Sequence, residues 1–319
     1  MTKIEELKNK IKYSTNNKFY IFRKNIDILD FKKINIDNEY KHEPTLDLTI
    51  YTILFNDPLY VCVWYYSICR LLENTDILNV KKIILITTEN CVDYLNEIIE
   101  LFNIPTLFEI HVQDSNLSKC NFILNENFTT KSFILQDADI YPHKTHTLYS
   151  VINDFLIDDN NLDKLLMLNE KNDPDPMLYL LGRLIGENKI TFSDFLKTRE
   201  DIADFFDKLD IDFYNFNKSI TKWYNSSLVG FRKDSPIVSD NKIMEEFARV
   251  KIYCDETLWL SSSIRNNIKP IILKDISGIP FSFFYDDLKD YESFILSIIF
   301  MPEIIDKYLS DYNKIIFNL

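Results

Sequence analysis

A chain of 319 residues can bury a large core, and with 46% hydrophobic and 27% charged residues it has the balance of a folded protein, not of a long disordered one. Its 49 Asp and Glu outnumber its 36 Lys and Arg, and the formal net charge of −13 argues against nucleic acid as a partner, because phosphate contacts need a basic surface. Only four glycines occur, so no G-x-G-x-x-G or Walker-type loop is available, and a phosphorylated substrate has to be met by a metal, a helix N-terminus or a lone lysine.

In chain order, the opening MTKIEELKNKIK is charged and lacks an apolar signal core. Residues 1–45 read as an N-terminal arm or decoration. From Leu46 the character changes. DLTIYTILF has the β-branched and aromatic content of a strand, and YVCVWYYSICRLLEN carries apolar residues at helical spacing. KKIILIT is a second buried strand, NCVDYLNEIIELF a helix, FEIHVQ a third strand and SFILQ a fourth. This alternation predicts an α/β fold with a mixed, mostly parallel central sheet flanked by helices. Ligands of such sheets bind beyond the carboxyl ends of the strands, where Asn56, Asp57 and the acids after SFILQ fall.

Downstream, KLLMLNE reads as a strand and residues 172–222 as a polar helical insert, with helix-start boxes at Thr191–Asp194 and Thr198–Asp201. WYNSSLVGF returns to strand character and CDETLWLSSSI reads as a helix start. The last stretch, LKDYESFILSIIFMPEIIDKYLSDYNKIIF, reads as helices broken at Pro302, and its apolar run is too short to cross a bilayer. The organisation expected is an arm at 1–45, a domain at 46–287 (a nucleotide-binding half at 46–142, an acceptor half at 143–287) and C-terminal helices at 288–319. Five cysteines, Cys62, Cys69, Cys91, Cys120 and Cys254, stand singly with no C-x-x-C pair, which predicts neither a disulfide framework nor a zinc site. A reduced, cytoplasmic protein is expected, monomeric or homodimeric, with no membrane span.

The chemistry centres on FILQDADIYP, where an apolar strand ends in Asp137 and Asp139. The turn after the strand can bring both carboxylates toward one cation. Two carboxylates with phosphate oxygens and water form a hard oxygen shell suited to Mg²⁺ or Mn²⁺. Aspartyl-nucleophile phosphatases also use D-x-D, but on their first core strand, whereas here it falls on the fourth. His143 and His146 read as part of a Pro-flanked surface turn. Of Trp223 and Trp259, one is expected in the core and one at a pocket rim.

Four stretches in this order resemble the glycogenin-like, retaining glycosyltransferases of the GT-A, Rossmann-like fold: TILFNDPLY, KSFILQDADIY, WYNSSLVGF and YCDETLWL. The resemblance spans about residues 46–280. It implies an enzyme that moves a hexose from a UDP-sugar to a hydroxyl of a glycan or protein acceptor, with Mn²⁺ or Mg²⁺ as cofactor. It places Thr52, Phe55, Asn56 and Tyr60 around the base and ribose, and Lys119 beside the donor. Asp137 would touch ribose and metal, with Ala138 between it and Asp139, which would bind the metal. Asn225 and Ser226 would line the sugar pocket, Asp255 would bind sugar hydroxyls, and Glu256 would lie near the anomeric carbon.

The chain departs from that family in four places. No His follows His146, and Asp275 in KDISGIPF stands where the third metal ligand would be; carboxylate oxygen suits either cation. The Lys-Pro-Trp clamp is missing. Ser227 replaces a glycine, which narrows the pocket, and Glu256 replaces a glutamine, which offers a carboxylate nucleophile or base. Two other readings share the layout: a sugar nucleotidyltransferase, and a catalytically inactive nucleotide-sugar-binding module.

Overall fold

Apolar runs that are buried on both faces define the central strands, Leu48–Ile53, Lys82–Thr87 and Ser132–Asp137. The computed structural model describes residues 1–32, 41–54, 57–73, 76–113, 122–123, 126–143, 147–171, 204, 207–209, 223–250, 255–280, 294–297 and 302–317. Its strands are β1 (Leu48–Ile53), β2 (Lys82–Thr87), β3 (Phe108–Val112), β4 (Ser132–Asp137), β5 (Ile140–His143), β6 (Lys164–Lys171), β7 (Trp223–Arg232), β8 (Lys269–Ile272) and β9 (Phe294–Ser297). Among the described residues the α-helices of five residues or more are α1 (Lys3–Tyr13), α2 (Tyr20–Lys24), α3 (Leu59–Glu73), α4 (Glu89–Ile99), α5 (Leu148–Ile157), α6 (Asn241–Val250), α7 (Asp255–Arg265), α8 (Leu273–Ser277) and α9 (Pro302–Phe317).

Seven strands form one sheet in the order β3-β2-β1-β4-β7-β6-β8, parallel except for β7, which runs against both of its neighbours. This is the mixed, mostly parallel sheet that the alternation predicts. Successive side chains along each strand feed opposite cores. Leu48, Ile50, Ile134, Leu166 and Leu228 join one core with α1–α5, α8 and α9. Tyr51, Phe133, Leu135, Met167, Val229 and Phe231 join the other with α6 and α7. Gly230 sits where a side chain would collide: a Cβ there would meet Ile134 Cγ2 at 3.1 Å and Leu156 Cδ1 at 3.2 Å. The missing side chain lets α5 pack close on the sheet.

Two local features depart from local sequence pattern. Thr147 does not cap α5; instead the buried carboxylate of Asp76 accepts the N–H groups of Tyr149 (2.5 Å) and Ser150 (3.0 Å). An anion on the free N–H groups of a helix start satisfies both hydrogen bonding and the helix dipole. The FILS stretch, expected as helix, is strand β9, paired antiparallel to β5, and Pro302 starts α9 and does not break it. A proline suits the first helical turn, where its missing N–H costs nothing.

The first 45 residues, expected as an arm, add Leu7, Ile11, Phe19, Ile21 and Phe22 to the first core. Glu97 of α4 accepts the N–H groups of Lys3 (2.7 Å) and Ile4 (3.2 Å), which ties down the start of α1. Most of 172–222, with both helix-start boxes, lies outside the described residues. Among the described residues no helix is long and apolar enough to cross a membrane. Cys62, Cys69 and Cys91 are free thiols.

Candidate functional site

β1 and β4 run side by side in register, with Thr52 beside Gln136 and Ile53 beside Asp137. Asp137 therefore ends the ladder at the carboxyl edge of the sheet and is half-exposed. Ala138, buried, and Asp139, half-exposed, form the turn that leads into β5. That turn is held from two sides. The Ser67 hydroxyl of α3 donates to the carbonyl of Ile140. The Tyr141 hydroxyl donates to the carbonyls of Ile315 (2.7 Å) and Ile316 (3.4 Å) at the end of α9.

The start of α3 reaches the same edge. Asp57 accepts the Leu59 N–H on its side chain and the Tyr60 N–H on its carbonyl, each at 3.0 Å, and so opens the helix. Tyr60 is buried, with the ring of Phe19 edge-on at 5.3 Å. Burial first, and then the negative charges of Asp139, Asp57 and Asp137, push the Tyr60 hydroxyl up to about 12. The phenol thus stays protonated, and carboxylates from the end of β4 and from the start of α3 act on it. Like charges in one partly desolvated place repel, and a cation among them relieves that repulsion.

β7 supplies a wall. Gln136 pairs with Leu228, and Asn225 pairs with Asn169 of β6. One register step past Gln136 sets Ser227 beside Asp137. Asn225 and Ser226 are buried, and Asn225 Oδ1 accepts the Ser227 N–H at 2.9 Å, which fixes the backbone where the β6–β7 register shifts. α7 ends at Arg265, just before β8 begins at the opposite, amino edge, so its first turn with Asp255 and Glu256 lies at the carboxyl edge. The side chains of both residues lie outside the described set.

Other expected residues are placed differently. Thr52 is buried and lines a small crevice beneath Asp137, between the sheet and α3, with Trp64, Ser67 and Gln136. Asp275 is exposed on α8. Among the described residues no three His, Cys, Asp or Glu stand at metal-coordinating distance, so Asp275 does not complete a set with Asp137 and Asp139. Phe55, Asn56, Lys119 and His146 lie outside the described residues. His143 is on β5, not in a turn. Trp259 is core, its ring 5.6 Å from that of Phe231, while the Trp223 side chain is not described. Sequence reasoning missed Phe19, Ser67 and Tyr141, which carry no local signal. The role of Asp57 was legible as a cap-type residue followed by Pro58 at a helix start.

The carboxylates offer only hard, anionic oxygen, which fits Mg²⁺ or Mn²⁺ provided that a ligand supplies the remaining oxygens. No protein-family model matches the chain, and no curated protein matches it. Solved structures similar to it include 4-diphosphocytidyl-2C-methyl-D-erythritol synthase from Anaerococcus prevotii (10% identity, TM-score 0.40, 70% of this chain and 87% of that one). The mannosyltransferase Ktr4p of S. cerevisiae is similar at 11% identity and TM-score 0.43, over 82% of this chain and 81% of that one. The mannosyltransferase PcManGT of Pyrobaculum calidifontis, in complex with GDP-Man and Mn²⁺, is similar at 12% identity and TM-score 0.39, over 84% and 66%. At these values the similarities carry no argument for a shared activity.

Proposed function

We propose that the chain is a metal-dependent glycosyltransferase of the GT-A type that moves a hexose from a UDP-sugar to a hydroxyl acceptor, with retention. The observation that carries this reading is the placement of Asp137 and Asp139 where β4 ends, at the carboxyl edge of a mostly parallel sheet. Asp137 and Asp139 hold Mn²⁺ or Mg²⁺ together with diphosphate oxygens and water. When bound, the metal supplies Lewis-acid neutralisation of the departing diphosphate. Tyr60, kept protonated, donates a hydrogen bond to the donor. Asn225 and Ser226 line the sugar, and Asp255 and Glu256 reach its hydroxyls and anomeric carbon from α7. Lys119, Phe55 and Asn56 are assigned to the nucleotide.

The test is release of nucleoside diphosphate from a panel of UDP-hexoses and GDP-mannose with Mn²⁺, for the wild type and Asp139→Asn. UDP release that is lost in the variant supports the reading. GDP release alone overturns the choice of base. Pyrophosphate formed from UTP and a sugar phosphate replaces transfer with nucleotidyl chemistry, and silence across the panel leaves a binding module.

A further inference from the structure

Charge is spread unevenly along the chain. Between Leu7 and Ile26 it carries Lys8, Lys10, Lys12, Lys18, Arg23 and Lys24 and not one Asp or Glu, within a protein of net charge −13. Folding buries the apolar side of this stretch, including Leu7, Ile11, Phe19 and Phe22. What remains outside is basic and partly aromatic. Lys10, Lys12, Lys18 and Lys24 are exposed, and so is the ring of Tyr13, at 76%.

Lys10 turns toward α4, where it donates to the Tyr94 hydroxyl at 2.7 Å, and the other groups flank the loop after α1. Arg23 Nη1 donates to the carbonyls of Ser14 (2.5 Å) and Asn16 (3.3 Å), which binds α2 to the loop after α1 and gathers Lys12, Tyr13, Lys18 and Arg23 around that loop. The Lys12 ammonium stands 5.8 Å from the Tyr13 ring centre. Arg23 and Lys24 lie 5.6 and 5.4 Å from that of Tyr20. Glu6 pairs with Lys3 and Lys10 at 3.3 and 3.2 Å, so Lys10 shares its charge with an acid, and Asp306 accepts the Tyr20 hydroxyl at 2.6 Å. Through Phe19, which packs on Tyr60, the same segment abuts the candidate site.

We propose that this basic, tyrosine-bearing surface binds the headgroup layer of an anionic lipid bilayer. Attraction between lysines and anionic lipid decays within a Debye length, so the local patch and not the net charge decides the contact. An exposed tyrosine suits the headgroup level of a membrane, where its ring is half apolar and its hydroxyl wet. A soluble polyanion would match the lysines and leave the exposed ring unused, which favours lipid.

The full chain is floated with vesicles of phosphatidylcholine alone, or mixed with phosphatidylserine, in the absence of metal and nucleotide, so the outcome is independent of the glycosyltransferase reading. Binding is expected to the anionic vesicles only and to weaken as salt is raised, a result that needs no variant. The combined Lys12→Glu, Lys18→Glu and Lys24→Glu substitutions are expected to weaken it about a hundredfold, and Tyr13→Ser to weaken it without any change in charge. No binding to anionic vesicles, equal binding to neutral ones, or capture by heparin where vesicles fail would overturn the proposal.

Discussion

The sheet has two unlike halves that meet at β4. From β3 to β4 every strand runs the same way, so every strand end, and the acids that follow, falls on one edge. Beyond β4 the direction breaks: β7 is antiparallel to both β4 and β6. Because β7 enters at the edge where β4 ends, its N-terminal half, with Asn225 and Ser226, lies at the Asp137 end of the sheet. A parallel strand in that place would put the other end, near Arg232, against the aspartates. The parallel half thus concentrates negative charge, and the reversed strand supplies the wall opposite it. Arg232 instead closes the amino edge, where it pairs with Asp234 at 2.8 Å and Asp159 at 2.7 Å.

Four perturbations break or sharpen this contrast. The largest effect is expected at the charged edge: Asp139→Asn should lower metal-dependent nucleotide affinity roughly a hundredfold and leave Tm little changed, since it removes a charge from among like charges. Isothermal titration beside a melting curve checks both. At the seam between the halves, Gly230→Val should cost about 1–3 kcal/mol of stability by overpacking against Ile134 and Leu156. Urea unfolding measures that loss, and nucleotide affinity per folded molecule should stay near the wild-type value.

Outside the sheet, the Glu6 carboxyl is held down at about 2, against an ordinary 4.5, first by the Tyr94 hydroxyl and then by Lys10. A depressed carboxyl stabilises the fold above its unfolded value and loses that contribution as pH falls through the folded one. The Tm advantage of wild type over Glu6→Gln should therefore hold above pH 4.5 and shrink as pH falls toward 2. The smallest effect is expected in the far half: Asp275→Asn should change Mn²⁺-dependent nucleotide binding by less than about twofold, since an exposed residue outside the metal shell contributes little. A large loss would return Asp275 to the shell.

Strands β1, β2 and β4 were legible because burial on both faces writes them as nearly unbroken apolar runs, and β3, β6 and β7 through shorter apolar or β-branched and aromatic stretches. β5, β8 and β9 are each four residues long, too short for a period to show, and FILSIIF suits a helix as well as a strand. Asp137 and Asp139 stood out because two acids closing an apolar strand contradict its pattern. The place of Tyr60 beside Asp137 and Asp139 did not, because those acids come near it only through the pairing of β1 with β4. Nor did the packing of Phe19 on Tyr60, since the lysines of the first 24 residues mask their apolar side.

Calorimetry of UDP against the full chain, with Mn²⁺ and then with chelator, is the measurement to make first. Binding that needs the metal and disappears in Asp139→Asn is the predicted result. UDP binding of equal strength in chelator, or none in either condition, would contradict a metal-held diphosphate at the end of β4.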